Sequence, residues 1–347
     1  MDVDEVLLAA PRGFCAGVEM AIKALGWMVR IFEPPVYCYH EIVHNQVVVD
    51  RFRSLGVVFV DDVADVPPGA PLMLSAHGSA PSVVAEARSR GGVVVDAVCP
   101  LVTKVHHEVR VRADKGYTVL YVGHRGHDEA VGTMAVAPEA VQLVETEADV
   151  AALVDPGERV AFLAQTTLAV DEWRSVLAAA ESRFAGLWTP GRSDLCFATT
   201  NRQAALRIIA AKADAVIVIG SANSSNTLAL ERTAQAAGAP LVLRVNDASE
   251  LPDDLHGTVG VTAGASAPEE LVQAVIARLA PRAGTTEVSA VDEDEYFPLP
   301  RELRDLLRVV GAAASVSLLA PDGGGGVGGI PDDRHLDAGT VLKALSS

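Results

Sequence analysis

Three cysteines share one kind of setting. Cys15, Cys99 and Cys196 stand in PRGFCAG, DAVCPLVTK and DLCFATTNRQ, each just ahead of a helix-period segment. Cys15 and Cys99 also follow strand-like runs directly. A thiol at a strand-to-helix turn lies near a helix N-terminus, whose dipole favours the thiolate. Thiolate is the form that binds soft metals and iron–sulfur clusters. Gly13 and Gly17 flank Cys15 and let the backbone come close to a bulky ligand, and Pro100 after Cys99 suits a first helical turn. Free cysteines are often simply small buried hydrophobes, but that reading leaves the shared context unexplained. Cys38, between aromatics in VYCYH, is expected to be such a core residue. A Cys3His zinc site is the rival reading, but structural zinc ligands usually come in close pairs, and no CxxC occurs here. Three thiolates would leave one iron of a four-iron cluster without a protein ligand.

A second set of polar residues suits an anion. His44 in HEIVHN, His77 in SAHGSAP and His127 in GHDE are candidate donors, joined by Ser224, Ser225 and Asn226 in GSANSSN and Ser266 in TAGASAP. Hydroxyls, amides and helix N-termini of this kind bind phosphate well. Strand ends are normally polar, so a single histidine there is usually a plain turn residue; the argument rests on the cluster. No GxxxxGK[ST] stretch is present, which removes support for ATP-type binding. Glu129 follows His127 by two residues, so in an extended loop both side chains face one side, with Asp128 between them pointing elsewhere. A carboxyl group in a dry pocket keeps its proton to neutral pH and can deliver it to a leaving group. Thr166 and Thr167 in AQTTLAV are placed to relay that proton or hold a hydroxyl.

The elements that must position these residues alternate. Short β-branched runs such as VLLAA, VVFV, TVLYVG and AVIVIG are separated by helix-period stretches such as VEMAIKALGWMVRIF and NRQAALRIIAAKA. That alternation predicts an α/β fold with mainly parallel sheets. Ligands in such sheets gather beyond the carboxyl ends of the strands, so three facing edges bring distant cysteines to one point. Three similar small domains are expected: 1–99 (completed by 285–304), 100–195 and 196–284. The remainder, 305–347, reads as a flexible Gly-rich tail through APDGGGGVGGIPDD, with one short helix possible at its end.

With 347 residues and a net charge of -17, the chain should repel nucleic acid and anionic membrane surfaces, and an anionic substrate must rely on local donors. MDVDEVLLAA carries acids where a signal peptide has its basic region, and no uninterrupted apolar run is long enough to span a bilayer. A cytoplasmic protein with no membrane and no nucleic-acid partner is the expectation.

Taken in order, PRGFCAGV, HEIVHN, SAHG, DAVCPLVTKVH, GHRGHDEAVGTM, QTTLAVDEW, CFATTNRQ, GSANSSN and TAGASAP resemble the signature set of the 4-hydroxy-3-methylbut-2-enyl diphosphate reductase family. This family supplies the last step of the methylerythritol phosphate route to isoprenoids. The resemblance runs from about residue 6 to residue 304. It implies three α/β domains around a central, oxygen-sensitive [4Fe–4S] cluster, one per chain, with Cys15, Cys99 and Cys196 as its ligands and one open iron. It implies an allylic diphosphate bound among His44, His77, His127, Ser224, Ser225, Asn226 and Ser266, with Glu129 as proton source and Thr166 near the substrate hydroxyl, while Thr167 beside it is a further expected substrate contact. A ferredoxin- or flavodoxin-type electron donor is implied too. Two departures stand out: GHDE where GHPE is commoner, and DAVCP where DATCP is commoner. Asp128 adds a charge expected to raise the proton affinity of Glu129, and Val98 removes a hydroxyl beside a cluster ligand. Two other readings stay open on the residues alone. One is a non-catalytic iron–sulfur sensor, the other a zinc hydrolase in which His127 and Glu129 activate water.

Overall fold

The structure is a computed structural model describing residues 1–90, 92–154, 157–317, 333–334 and 336–345. The chain opens with β1 (Asp2–Ala10) and α1 (Ala16–Ile31). It continues through β2 (Val36–Tyr39), α2 (Gln46–Ser54), β3 (Val57–Val60), β4 (Leu72–Leu74), α3 (Pro81–Ser89) and β5 (Val94–Asp96). A middle stretch holds α4 (Pro100–Asp114), β6 (Thr118–Val122), α5 (Asp128–Met134), β7 (Val141–Val144), α6 (Glu147–Ala152), β8 (Val160–Ala164) and α7 (Val170–Arg183). Next come α8 (Phe197–Ala210), β9 (Ala215–Ile219), α9 (Ser225–Ala236), β10 (Val242–Val245), β11 (His256–Ala263), α10 (Glu269–Leu279) and β12 (Thr285–Ser289). Two helices, α11 (Arg301–Ser317) and α12 (Ala338–Leu345), complete it.

The strands form three sheets, in the orders β10-β9-β11-β1-β12, β3-β2-β4-β5 and β7-β6-β8. Every strand pairing is parallel. The expected α/β class with parallel sheets is therefore what the chain adopts. Central strands such as VAFLA in β8 and AVIVI in β9 are buried at every position, as a sheet covered by helices on both faces requires.

The three cysteines mark the places where the chain leaves one sheet for another. Cys15 follows β1 of the five-stranded sheet and caps α1, whose Ile22, Leu25 and Met28 pack with Val36, Met73 and Val95 of the four-stranded sheet. Cys99 follows β5 of that sheet and caps α4, whose Val105 and Val109 pack on Val119 and Tyr121 of the three-stranded sheet. Cys196 follows the last element of that layer and caps α8, whose Leu206 and Ile209 return to Leu7 and Val216 of the first sheet. Each crossing helix starts at a junction, so the three junctions meet.

Two expected boundaries differ from this arrangement. β1 does not open a separate first unit; it lies inside the five-stranded sheet, between β11 and β12, so the stretch 1–99 divides between two sheets. β12 joins that sheet as well, whereas it was expected to complete the first unit. Most of the described part of 305–347 is helical. In α11, Leu303 is fully buried against the four-stranded sheet's core, with Leu306 and Leu307 packed beside it. In α12, Ala338 and Leu342 recur on one helix face, and both are buried in that core. The helix fits because α1 has Gly26 beneath it: a Cβ there would lie 2.9 Å from Val341 Cγ1. Glu19 of α1 accepts a hydrogen bond from the Ala338 amide at 2.6 Å, supplying one of the partners a helix N-terminus lacks. The glycine-rich run 320–332 lies outside the described residues.

Candidate active site

One pocket is lined by all the residues singled out above: Cys15, Cys99 and Cys196; His44, His77 and His127; Glu129, Thr166 and Thr167; Ser224, Ser225, Asn226 and Ser266. The backbone ties the two sets together. The Cys15 amide donates to the Ala265 carbonyl, next to Ser266, at 3.2 Å, and the Cys99 amide donates to the Ala76 carbonyl, next to His77, at 3.0 Å. The Cys196 amide donates to the Thr166 carbonyl at 3.0 Å. Each cysteine is thus anchored on a loop that carries an anion-site or hydroxyl-site residue.

The cysteines are free thiols and each is an N-cap. Cys196 Sγ contacts Thr199 Oγ1 at 3.0 Å and accepts from the Thr199 amide at 3.3 Å. Burial, with Cys15 nearby, pushes the Cys196 thiol up to about 12, and burial pushes Cys99 up as well. A bound cationic group would offset that burial and favour the thiolates. Gly17 permits the convergence, since a Cβ on it would lie 2.9 Å from Cys99 Sγ and 3.9 Å from Cys15 Sγ. Gly13 turns the chain ahead of Cys15 with φ +64, a conformation that favours glycine. Among the described residues, the one trio of ligand atoms mutually within 4.8 Å is His44, His77 and Asp128. The three sulfurs are thus spread wider than a single tetrahedral zinc ion would hold them, while a cluster with an iron for each thiolate suits that spread. The donor set fits an iron–sulfur cluster. Cys38 lies fully buried in β2, as expected of a core residue.

The histidines form a stack beside this pocket. The His44 and His77 rings lie 4.0 Å apart and nearly parallel, and His127 meets them edge-on at 5.4 and 5.9 Å. His44 Nε2 and His77 Nδ1 are buried without a hydrogen-bond partner, which leaves them available to a ligand. His127 Nδ1 accepts from the Glu129 amide at 3.1 Å, so its proton sits on Nε2. Burial and the facing His44 lower His127 to about 4. Burial, then His44 and His127, hold His77 well below the ordinary range. Opposite them, Ser224 caps α9 by accepting from the Thr227 amide, and Ser225 and Asn226 begin that helix. Ser266 Oγ donates to the His44 carbonyl at 2.9 Å, locking the two loops together.

Glu129 is fully withdrawn from solvent. Its Oε1 accepts from the Thr166 amide at 2.7 Å and its Oε2 from Thr166 Oγ1 at 2.9 Å. Burial raises it to about 7, the Thr166 bonds partly oppose this, and Asp194 adds to the rise. Two expectations change here. His127 and Glu129 do not sit in an extended loop; His127 caps α5 and Glu129 is in its first turn. Asp128 is not among the groups that raise Glu129, because its carboxylate turns away toward His40, His44 and His77. Val98 uses its amide to bond Asp96 Oδ1 at 3.1 Å, so that turn is held by a carboxylate without a hydroxyl at 98.

Some participants escaped the sequence reading. Gln165 is fully buried and donates to Ser225 Oγ at 2.9 Å and Thr167 Oγ1 at 3.0 Å, orienting both hydroxyls. Arg202 of α8, 1% exposed, donates to the Gly13 carbonyl at 2.9 Å and pairs with Glu293 at 3.0 Å, pinning the Cys15 turn to the Cys196 helix. Both lie in quoted motifs, QTTLAVDEW and CFATTNRQ, yet polar residues in helices and strand ends carry no sign of burial.

The comparisons with known proteins agree with this geometry. The chain is 47% identical over 306 residues to the 4-hydroxy-3-methylbut-2-enyl diphosphate reductase of Rhodopirellula baltica, covering 86% of this chain and 96% of that protein. It is 49% identical over 306 residues to the enzyme of the same name from Phenylobacterium zucineum, covering 86% and 97%. Its structure is similar to that of the E-1-hydroxy-2-methyl-but-2-enyl-4-diphosphate reductase from Plasmodium falciparum, with a TM-score of 0.85, 32% identity, and 89% and 99% of the two chains covered. The LytB protein family matches residues 6–280, and with three junction cysteines and the polar loops all facing one pocket, this chain belongs to that family.

Proposed function

We propose that this chain reduces (E)-4-hydroxy-3-methylbut-2-enyl diphosphate to isopentenyl and dimethylallyl diphosphates, consuming two electrons and two protons and releasing the allylic hydroxyl as water. The observation that carries this reading is the meeting of three cysteines, a buried carboxyl group of raised proton affinity and a set of unpartnered imidazole nitrogens in one pocket. Cys15, Cys99 and Cys196 would hold a [4Fe–4S] cluster with one iron free of protein ligands. When bound, that group supplies electrons one at a time and a Lewis acid, neither of which a side chain offers readily.

The chain's own residues do the rest. His44, His77, the Nε2–H of His127 and the N-terminus of α9 with Ser225 and Asn226 hold the diphosphate, with Ser224 and Ser266 shaping the same wall. Gln165 presents the hydroxyls of Ser225 and Thr167 toward the bound substrate. Glu129 holds its proton to higher pH than a free carboxyl group because it is buried, and Thr166 Oγ1 lies 2.9 Å from it on the same pocket. Proton delivery runs from the Glu129 carboxyl through the Thr166 hydroxyl to the departing oxygen, which leaves as water. The second proton, carried by the bound diphosphate, goes to either end of the allyl group left by the two-electron reduction, which yields the two products. A ferredoxin- or flavodoxin-type protein is the electron donor, and the reaction belongs in the cytoplasm. Among the described residues, no helix is long and apolar enough to cross a membrane.

The test is anaerobic purification followed by metal, sulfide and product analysis. About four irons and four sulfides per chain, a broad charge-transfer absorption and formation of both products are expected. An iron-free protein with full activity, or one zinc and no sulfide, would refute the reading.

A further inference from the structure

We propose that His44, His77 and Asp128 form a second metal site, for one divalent ion of the zinc or iron(II) type, at the edge of the diphosphate pocket. The ion's task there, to meet a diphosphate oxygen, rests on the anion-site reading above. Asp128 Oδ2 lies 3.8 Å from both His44 Nε2 and His77 Nδ1, and the three ligand atoms lie mutually within 4.8 Å. Among the described residues no other such trio forms. Bonds of about 2.0–2.2 Å to a shared ion put ligand atoms about 3–3.5 Å apart, so the two carboxylate distances have little to shorten. The His44 and His77 rings are stacked nearly parallel at 4.0 Å, so each turns about its Cβ–Cγ bond to aim at the ion. The carboxylate comes from GHDE, and the commoner GHPE would leave only two donors.

The surroundings prepare these atoms as ligands. His44 Nδ1 lies 3.3 Å from Glu41 Oε2, and Glu41, held below its ordinary range chiefly by that bond, only accepts. The ring proton therefore sits on Nδ1, and Nε2 presents its lone pair. Histidines that hold metals commonly give their other N–H to a carboxylate in this way. His40 Nδ1, 2.9 Å from Asp128 Oδ1, fixes the carboxylate so that Oδ2 faces the two rings. His44 Nε2, buried and without a hydrogen-bond partner, and Asp128 Oδ2 are then two acceptors facing each other across 3.8 Å. Facing lone pairs are unfavourable, and a cation between them removes the conflict. Burial and the neighbouring histidines hold His77 well below the ordinary range, so it meets an ion as the neutral ring that coordination needs. Two imidazoles and a carboxylate suit zinc or iron(II) better than calcium or magnesium, which prefer oxygen ligands. Three protein ligands leave a position open, and His44 and His77 line the pocket, so a diphosphate oxygen can take it.

The measurement is equilibrium dialysis of the cluster-loaded protein against zinc without oxygen, with zinc, iron and sulfide determined together. Wild type should take up about one zinc per chain while its iron, sulfide and cluster absorption stay constant. Asp128→Asn should bind that zinc at least about tenfold more weakly, and Glu41→Ala, which removes the support of His44, should weaken it by a smaller factor. Unfolding midpoints and cluster absorption establish that both variants are folded and loaded. Calorimetry with inorganic pyrophosphate then reads the ion's task. Zinc should tighten pyrophosphate binding to wild type about fivefold or more, with no such gain in Asp128→Asn. The complex of zinc with pyrophosphate in solution is common to both proteins. No uptake by wild type, or equal uptake by wild type and Asp128→Asn, overturns the site. So does zinc that enters only as iron leaves, which would place it on the cysteines. Zinc lost in Asp128→Asn but without effect on pyrophosphate affinity in wild type supports the site and overturns its role toward the diphosphate. Wild type that binds no pyrophosphate, with or without zinc, overturns the anion-site reading, while the zinc comparison still decides the ion site.

Discussion

Thr166 gives both of its hydrogen-bond donors to Glu129, its amide at 2.7 Å and its hydroxyl at 2.9 Å. Its carbonyl meanwhile accepts from the Cys196 amide at 3.0 Å. A single residue thus joins the buried acid to a cysteine junction. Two donors aimed at a carboxylate lower its proton affinity, yet Glu129 still rises to about 7, so burial outweighs them.

Turnover should fall as pH rises through about 7, because the native carboxyl loses its proton there. Glu129→Gln should retain the cluster spectrum, lose turnover by at least about a hundredfold, and erase this limb of the pH profile. Thr166→Val removes one of the opposing hydrogen bonds, so the limb should move to higher pH while the rate drops. The stability sign follows from the same shift. Between the unfolded and native values the native state binds more protons, so this group makes unfolding easier as pH climbs toward 7. Unfolding midpoints of Glu129→Gln should be less sensitive to pH across that window.

Gly17→Ala tests the convergence of the thiols. The new Cβ would lie 2.9 Å from Cys99 Sγ, closer than real contacts allow, so Cys99 or the start of α1 must shift. Iron and sulfide per chain should fall well below wild type after anaerobic reconstitution, with far-ultraviolet circular dichroism unchanged. Wild-type cluster content in this variant would mean that the site tolerates wider spacing.

Arg202→Met should destabilise the protein by about 3–5 kcal/mol, since it leaves Glu293, 11% exposed, without its buried partner. It also strips the Gly13 carbonyl of donors at 2.9 and 3.2 Å. Denaturant titration measures the stability loss. The double variant Arg202→Met, Glu293→Leu should recover part of it, because the charge no longer stands alone.

Gly26→Val probes the docking of α12. A Cβ at 26 would lie 2.9 Å from Val341 and 3.3 Å from Leu345, so the helix must lift away from α1. Amide exchange over 338–345 should rise sharply, and Leu342, now fully buried, should become solvent-exposed. Gly26→Ala, which improves helix propensity in α1, should show a smaller version of the same change.

Much of the site was readable before any coordinates. The strand and helix segments follow from periodicity, and a cysteine at each of three strand-to-helix turns is a local pattern that residue types reveal. Cys15, Cys99 and Cys196 are each an N-cap, and Glu129 is buried and raised, as their motifs implied. Sheet membership was not readable. β1 pairs with β11 on one side and β12 on the other, both from the far end of the chain, and parallel partners are chosen by long-range packing that no local window contains. The docking of the expected terminal helix was unreadable for the same reason: α12 packs where it does because Gly26, far away in sequence, makes room for it. Side-chain direction was the other gap. A first helical turn sends Glu129 inward to Thr166 and Asp128 outward to the histidines, whereas an extended loop would have faced His127 and Glu129 one way. Residue type and spacing determined which chemistry this chain carries. Tertiary packing alone decided which groups share a pocket, because contact and burial depend on elements that meet only after the three sheets have formed.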